Sequence, residues 1–282
     1  MTKESISATA ALVMLWAERT LYSSSVVQAF LNSLDMSAGI DLYDECQAIW
    51  SDYSNVINNR KWLISNWSKE ILAAGQISQV VILGAGWAPL GLELADLYPK
   101  ASVFELDIDN MEKKRGLVDR IAGAPSNISF MSTDITDHDR CFSDLKIAGW
   151  KPDLPSLLIF EGISYYLKKT DLARLMTLGG THSRVIVEFM INLSRVDKSR
   201  REIPKKVFGL IEKACSLQTP IQTWDYQELC QRVHGVAMRH VNLSQIESIR
   251  QEIDGFVRKI FPAPETGWIE IVDIGFVKED EC

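Results

Sequence analysis

The chain has 282 residues, with 30 Lys and Arg against 37 Asp and Glu, for a net charge of −7 at pH 7. At 46% hydrophobic and 24% charged, with its 16 Gly and 9 Pro scattered, it has the composition of an ordinary globular protein, which excludes collagen-like, disordered and coiled-coil classes. The acidic balance argues against a general binder of nucleic acid or anionic membrane, because neutralising phosphates needs a basic surface.

The N-terminal apolar run, Ala8 to Ala17, is about ten residues, too short to span a bilayer, and it lacks the basic flank and cleavage site of a leader. Up to residue 75 the chain reads as helical, with apolar residues at helical spacing over Ser5–Leu21, Ser23–Leu34 and Leu42–Asn55. At Gln79 the character changes. Gln79–Leu83 is a continuous apolar run, as expected of a strand buried on both faces, and it ends in Gly84-Ala85-Gly86. Strand and helix then alternate: helix 90–98, strand 102–106, helix 110–121, strand 127–132, helix 138–148, strand 157–160, helix 169–178, strand 184–189. Helices at 203–215 and 226–234 follow, then strands at 237–243 and 268–277. The expected fold is α/β: a doubly wound, mostly parallel seven-stranded sheet ending in an antiparallel edge hairpin. Residues 1–75 form a helical cap on one domain, residues 76–282 the core, and the stretch around 191–225 a candidate lid.

Five widely spaced cysteines, Cys46, Cys141, Cys215, Cys230 and Cys282, form no CxxC pair, and the four histidines show no metal-binding spacing. The expectation is free thiols in a reducing cytoplasm and no metal.

The chemistry is expected at the ends of the strands. Gly84 and Gly86 let the backbone turn sharply and a ligand approach it, with Ala85 between them and Gly91 in the following helix. The GxGxxxxG spacing differs from the dinucleotide fingerprint. Glu105 closes the second strand, where an acid accepts from both hydroxyls of a ribose; Asp107 and Asp109 are the alternative, as solvated loop acids. After the third strand, Asp134 is placed to accept from an adenine amino group while Ile135 packs on the ring, or else Asp134 caps a helix. Glu161-Gly162 follows the fourth strand at the crevice where open α/β sheets bind ligands. Glu188 ends the fifth at the same rim, as a base, a substrate-orienting group or a paired structural carboxylate.

Ile82-Leu83-Gly84-Ala85-Gly86, Val103-Phe104-Glu105-Leu106-Asp107 with Lys113 beyond, and Glu161-Gly162-Ile163-Ser164-Tyr165-Tyr166-Leu167 together resemble the leucine carboxyl methyltransferase-type, S-adenosylmethionine-dependent methyltransferases, over about residues 56–190. The resemblance implies a class I methyltransferase fold, S-adenosylmethionine as cofactor and a small-molecule acceptor, most simply methylated on oxygen. It further implies that Arg60, with Lys61 one position away, contacts the methionine carboxylate. Gly84 and Gly86 would approach the methionyl part, Glu105 the ribose, Asp134 and Ile135 the adenine, and Glu161 the amino end of the cofactor. Tyr166 would face the boundary between cofactor and substrate. One departure stands out: Trp87-Ala88-Pro89-Leu90 replaces the aliphatic-Asp-Thr-Arg or Asp-Ser-Arg run of many bacterial members. A nicotinamide-dependent oxidoreductase and a non-catalytic binding protein are the other classes that a glycine turn and a later acid allow. The aromatic residues Trp16, Tyr22, Tyr43, Trp50 and Tyr53 are either acceptor-pocket walls or helix-packing core.

Overall fold

A computed structural model describes residues 3–215, 220–255 and 258–276; Cys282 and the end of the last predicted strand, Val277, lie outside them. In chain order the elements are β1 (Glu4–Ser5), α1 (Ala8–Trp16), α2 (Ser25–Asn32), β2 (Leu34–Asp35), α3 (Ile40–Ile49), α4 (Tyr53–Ala73), β3 (Gln79–Leu83), α5 (Leu90–Leu97), β4 (Ser102–Asp107), α6 (Met111–Val118), β5 (Ile128–Ser132), α7 (His138–Ile147), β6 (Ser156–Phe160), α8 (Lys169–Met176), β7 (Arg184–Met190), α9 (Glu202–Cys215), α10 (Tyr226–Val233), β8 (Val236–Asn242), α11 (Leu243–Asp254) and β9 (Ile269–Gly275).

Seven strands form one sheet in the order β5-β4-β3-β6-β7-β9-β8. The first five are parallel, and β9 runs antiparallel to both of its neighbours, β7 and β8. Every residue of β3 and β6 is buried, because helices cover both faces at the centre of the sheet. The expected antiparallel pair at the edge is present as β8 and β9. A long connection carrying α11 separates β8 from β9, so β9 inserts beside β7 and β8 takes the edge. The helix α11 was unforeseen, yet its start is written locally: Asn242 and Gln245 form a reciprocal capping box ahead of the buried Leu243 and Ile246.

The N-terminal region is helical as expected, except that Glu4–Ser5 and Leu34–Asp35 form a short parallel pair. Its longest helix, α4, spans 21 residues and buries Asn58, Asn59, Arg60 and Lys61 along with its apolar side chains. Two apolar clusters fill the molecule. The larger surrounds the sheet and includes Trp16 of α1 and Tyr53, Trp62 and Trp67 of α4. The smaller joins Val27 and Phe30 of α2 to Trp87, Leu92, Met111 and Phe130. Trp87, the residue that follows the glycine turn, stacks on Phe30 with ring centroids 6.4 Å apart.

Candidate active site

The parallel strands bring the ends of β3 to β7 to one rim, where a ligand crevice forms in sheets of this kind. At the end of β3 the chain turns sharply. Gly84 (φ 70°) and Gly86 (φ 49°) adopt the left-handed conformation, and the Leu106 carbonyl accepts the N–H groups of Gly84 and Ala85 at 2.9 and 3.0 Å. Asp107, at the end of β4, accepts the Gly86 N–H on Oδ2 at 2.9 Å. Burial raises the Asp107 carboxyl above its ordinary value, against the backbone N–H groups of Asp109 and Gly86, which pull it down.

Glu105 does not reach the rim. It is fully buried, and its carboxylate forms an ion pair with the ammonium of the equally buried Lys114 at 2.6 Å. Burial pushes the Glu105 carboxyl up, and Lys114 opposes that. The carboxylate lies where a side chain on Gly91 would be, so Gly91 is needed for close approach of α5 to β4. Lys113, singled out with the motif, is exposed; α6 turns Met111, Lys114, Leu117 and Val118 inward instead.

Arg60 and Lys61 are both buried and diverge to two partners. Arg60 donates from Nη1 to Glu188 Oε1 at 2.6 Å and to the Tyr165 hydroxyl at 2.9 Å. Glu188 also accepts the Tyr165 hydroxyl at 3.0 Å and, on Oε2, the Gly162 N–H at 3.0 Å. Both hydrogen bonds of the guanidinium leave from Nη1, and the buried Nε has no partner among the described residues. Lys61 donates to Glu161 at 2.5 Å. Burial acts to raise the Glu161 carboxyl, but Lys61 and Arg60 outweigh it and hold the group below the usual range. Burial and then the Glu188 charge push the Tyr165 hydroxyl well up, and burial raises Tyr166 as well. Tyr22 is buried near Glu161 and near Glu93 of α5: burial, then these two charges, raise its hydroxyl.

Ile135 is buried just beyond β5, whereas Asp134 is exposed and accepts the N–H and hydroxyl of Thr136 at 2.9 and 2.7 Å in a local turn; the helix cap that was its alternative role falls to Asp137, which accepts the Arg140 N–H at the start of α7. Tyr166 is half-buried, its ring edge-on to Tyr165 at 5.0 Å. Trp16 and Tyr53 stack within 4.8 Å, and Tyr53, Trp50, Phe261 and Trp268 form a continuous aromatic cluster. His182 precedes β7, at the rim opposite the glycine turn, and donates its backbone N–H to Phe276. In the candidate lid, Phe208 of α9 meets Tyr165 edge-on at 5.2 Å. Three arginines of the same segment have partners within the chain: Arg195 pairs with Asp225, Arg200 donates to the Ile260 carbonyl and Arg201 to those of Ser194 and Val196.

Sequence reasoning missed Lys114, and it set Asp107 aside. The signal for Lys114 was its place on the apolar stripe of α6, three residues after Met111 and three before Leu117.

The leucine carboxyl methyltransferase family model matches residues 8–178, more than half of the chain and including α1 to α3. No curated protein matches. Among solved structures, a candidate methyltransferase from Thermobifida fusca superposes with a TM-score of 0.63 at 15% identity, covering 90% of this chain and 94% of that one. A DUF574 family protein from Streptomyces avermitilis gives 0.64 at 12% identity, covering 90% and 98%. At these identities the two structures show a shared fold.

Proposed function

The chain belongs to the leucine carboxyl methyltransferase family and is an S-adenosylmethionine-dependent methyltransferase; we propose that it methylates an oxygen, most simply a carboxylate, of a small molecule. The nicotinamide reading of the glycine turn falls away with that membership.

The residues at the rim fit the cofactor. The unpartnered Arg60 Nε leaves the Nε–Nη2 edge of the guanidinium for a carboxylate, the geometry in which arginine binds such a group with two parallel bonds. Around Gly86, the nearest atom to an added side chain would be Asp107 Oδ2 at 3.9 Å, which leaves the backbone open to a ligand. In this reading Arg60 holds the methionyl carboxylate, Gly84, Ala85 and Gly86 border the methionyl chain, and Glu161 with Gly162 borders the amino end. Asp107 takes the ribose role first assigned to Glu105, because Glu105 is sealed behind Lys114. Ile135 and Asp134 border the adenine. Glu188 serves as the group that orients Arg60 and Tyr165, not as a base, and Tyr166 faces the acceptor.

S-adenosylmethionine, when bound, supplies a methyl group already activated on a sulfonium. The chain's own task is then to align donor and acceptor and to exclude water. The observation that carries the choice of an anionic oxygen is that the carboxylates at β6 and β7 are engaged by cations, Glu161 by Lys61 and Glu188 by Arg60, that Asp107 at β4 is taken up by the Gly86 N–H and, in this reading, the ribose, and that the Tyr165 and Tyr166 hydroxyls are held protonated at neutral pH. Proton removal from a neutral acceptor would need a free base; a carboxylate acceptor has no proton to remove. No described helix is long and apolar enough to cross a membrane. The proposed setting is the cytoplasm, where cysteines such as the buried Cys46 and Cys141 stay reduced.

The test is methyl transfer from methyl-labelled S-adenosylmethionine to a panel of small carboxylic acids and phenols, followed by alkali. Label released as methanol identifies a methyl ester, the expected product. An alkali-stable product refutes the carboxylate assignment.

A further inference from the structure

We propose that Lys114, with Glu105 as its buried counter-charge, is a positioning residue that sets the shape of the turn from Gly84 to Ala88 for cofactor binding. The inference rests on that turn being the cofactor's site.

Lys114 Nζ donates to the Gly86 carbonyl at 3.0 Å and to the Ala88 carbonyl at 2.6 Å, and lies 2.6 Å from Glu105 Oε2. The peptide groups of Gly86 are therefore gripped on both sides: Asp107 takes its N–H and Lys114 its C=O. The rings of Phe30 and Phe130 lie 5.9 and 5.8 Å from the ammonium, and the side chains of Lys114 and Glu105 are both fully buried. An ammonium so buried is costly without a counter-charge, which gives Glu105 its role, and an apolar side chain could not satisfy the two carbonyls. The two glycines leave the turn with wide backbone freedom, so its shape must be imposed from outside. Lys114, reaching across from α6, imposes it. A buried ion pair that served only the core could be exchanged for apolar side chains of similar volume without affecting a ligand.

That difference is the test, read by calorimetric binding of S-adenosylhomocysteine and by melting temperature. Wild type is measured first; a wild type that does not bind refutes the cofactor site and this inference with it. In the double variant Glu105→Leu with Lys114→Met, both charges leave together. The expected result is a folded protein whose affinity falls ten- to thirtyfold. Wild-type affinity in that folded variant overturns the inference and leaves the cofactor site standing. Should the double variant not fold, Lys114→Gln and Glu105→Gln decide. Lys114→Gln should weaken binding at least tenfold and Glu105→Gln less than threefold, because only the first releases the carbonyls. Equal losses of affinity overturn the inference.

Discussion

Arg60 is where the proposed cofactor assignment can be tested most sharply. Replacing it alone would leave Glu188, which is fully buried, with only the Tyr165 hydroxyl and the Gly162 N–H, and a buried charge stripped of its partner costs about 3–5 kcal/mol of stability. The informative variant is therefore Arg60→Met combined with Glu188→Gln, which neutralises the pair while the Gln oxygen still accepts one of those two donors. What the ligand loses is the free edge of the guanidinium, two charge-assisted hydrogen bonds worth about 1.5–3 kcal/mol each net of competition with water, taken here at the lower end. A net loss of about 3 kcal/mol corresponds to roughly a hundredfold in Kd. Titration calorimetry would compare S-adenosylhomocysteine with 5′-methylthioadenosine, which lacks the amino-acid carboxylate. The first should weaken by about a hundredfold and the second by less than about threefold. If both weaken equally, or neither does in a folded variant, Arg60 does not hold the carboxylate.

Asp107→Asn keeps an acceptor for the Gly86 N–H but removes the charge, and should weaken S-adenosylhomocysteine about tenfold, one charged hydrogen bond at the lower end of its range. The loss should vanish for an analogue without ribose hydroxyls, and a loss that persists would place the ribose elsewhere. A second prediction concerns pH. The folded-state value of Glu161 lies below its unfolded value, so ionised Glu161 contributes stability that is full above the unfolded range and lost as pH falls through the folded value. Urea midpoints of wild type should therefore exceed those of Glu161→Gln at pH 6–7, with the gap closing below about pH 4. A gap constant with pH would show that Glu161 is not held ionised by Lys61 and Arg60. Glu105 and Glu247, both raised by burial, act in the opposite sense, and taking the difference between variant and wild type removes them.

The alternation of strand and helix was legible because burial on both faces of β3 and β6 demands continuous apolar runs, and because glycine at positive φ is the cheapest way to end such a strand in a sharp turn. The sequence also sufficed to place Gly84, Gly86, Glu161 and Glu188 at one rim, since parallel strands put their ends together. The roles of neighbouring residues were decided only by tertiary structure. Glu105 and Asp107 lie two apart on β4 and so point to the same face, and periodicity cannot separate them. Glu105 pairs in register with Ile82 inside β3, beneath Gly91 and Lys114, whereas Asp107 lies one residue past the last pair of the two strands, Leu83 with Leu106, beside the glycine turn. Likewise Arg60 and Lys61 are adjacent and equally basic, and only the tertiary placement of α4 sends one to Glu188 of β7 and the other to Glu161, just past β6. A charge's partner is set by what folds across from it, and here the partners lie about a hundred residues away along the chain.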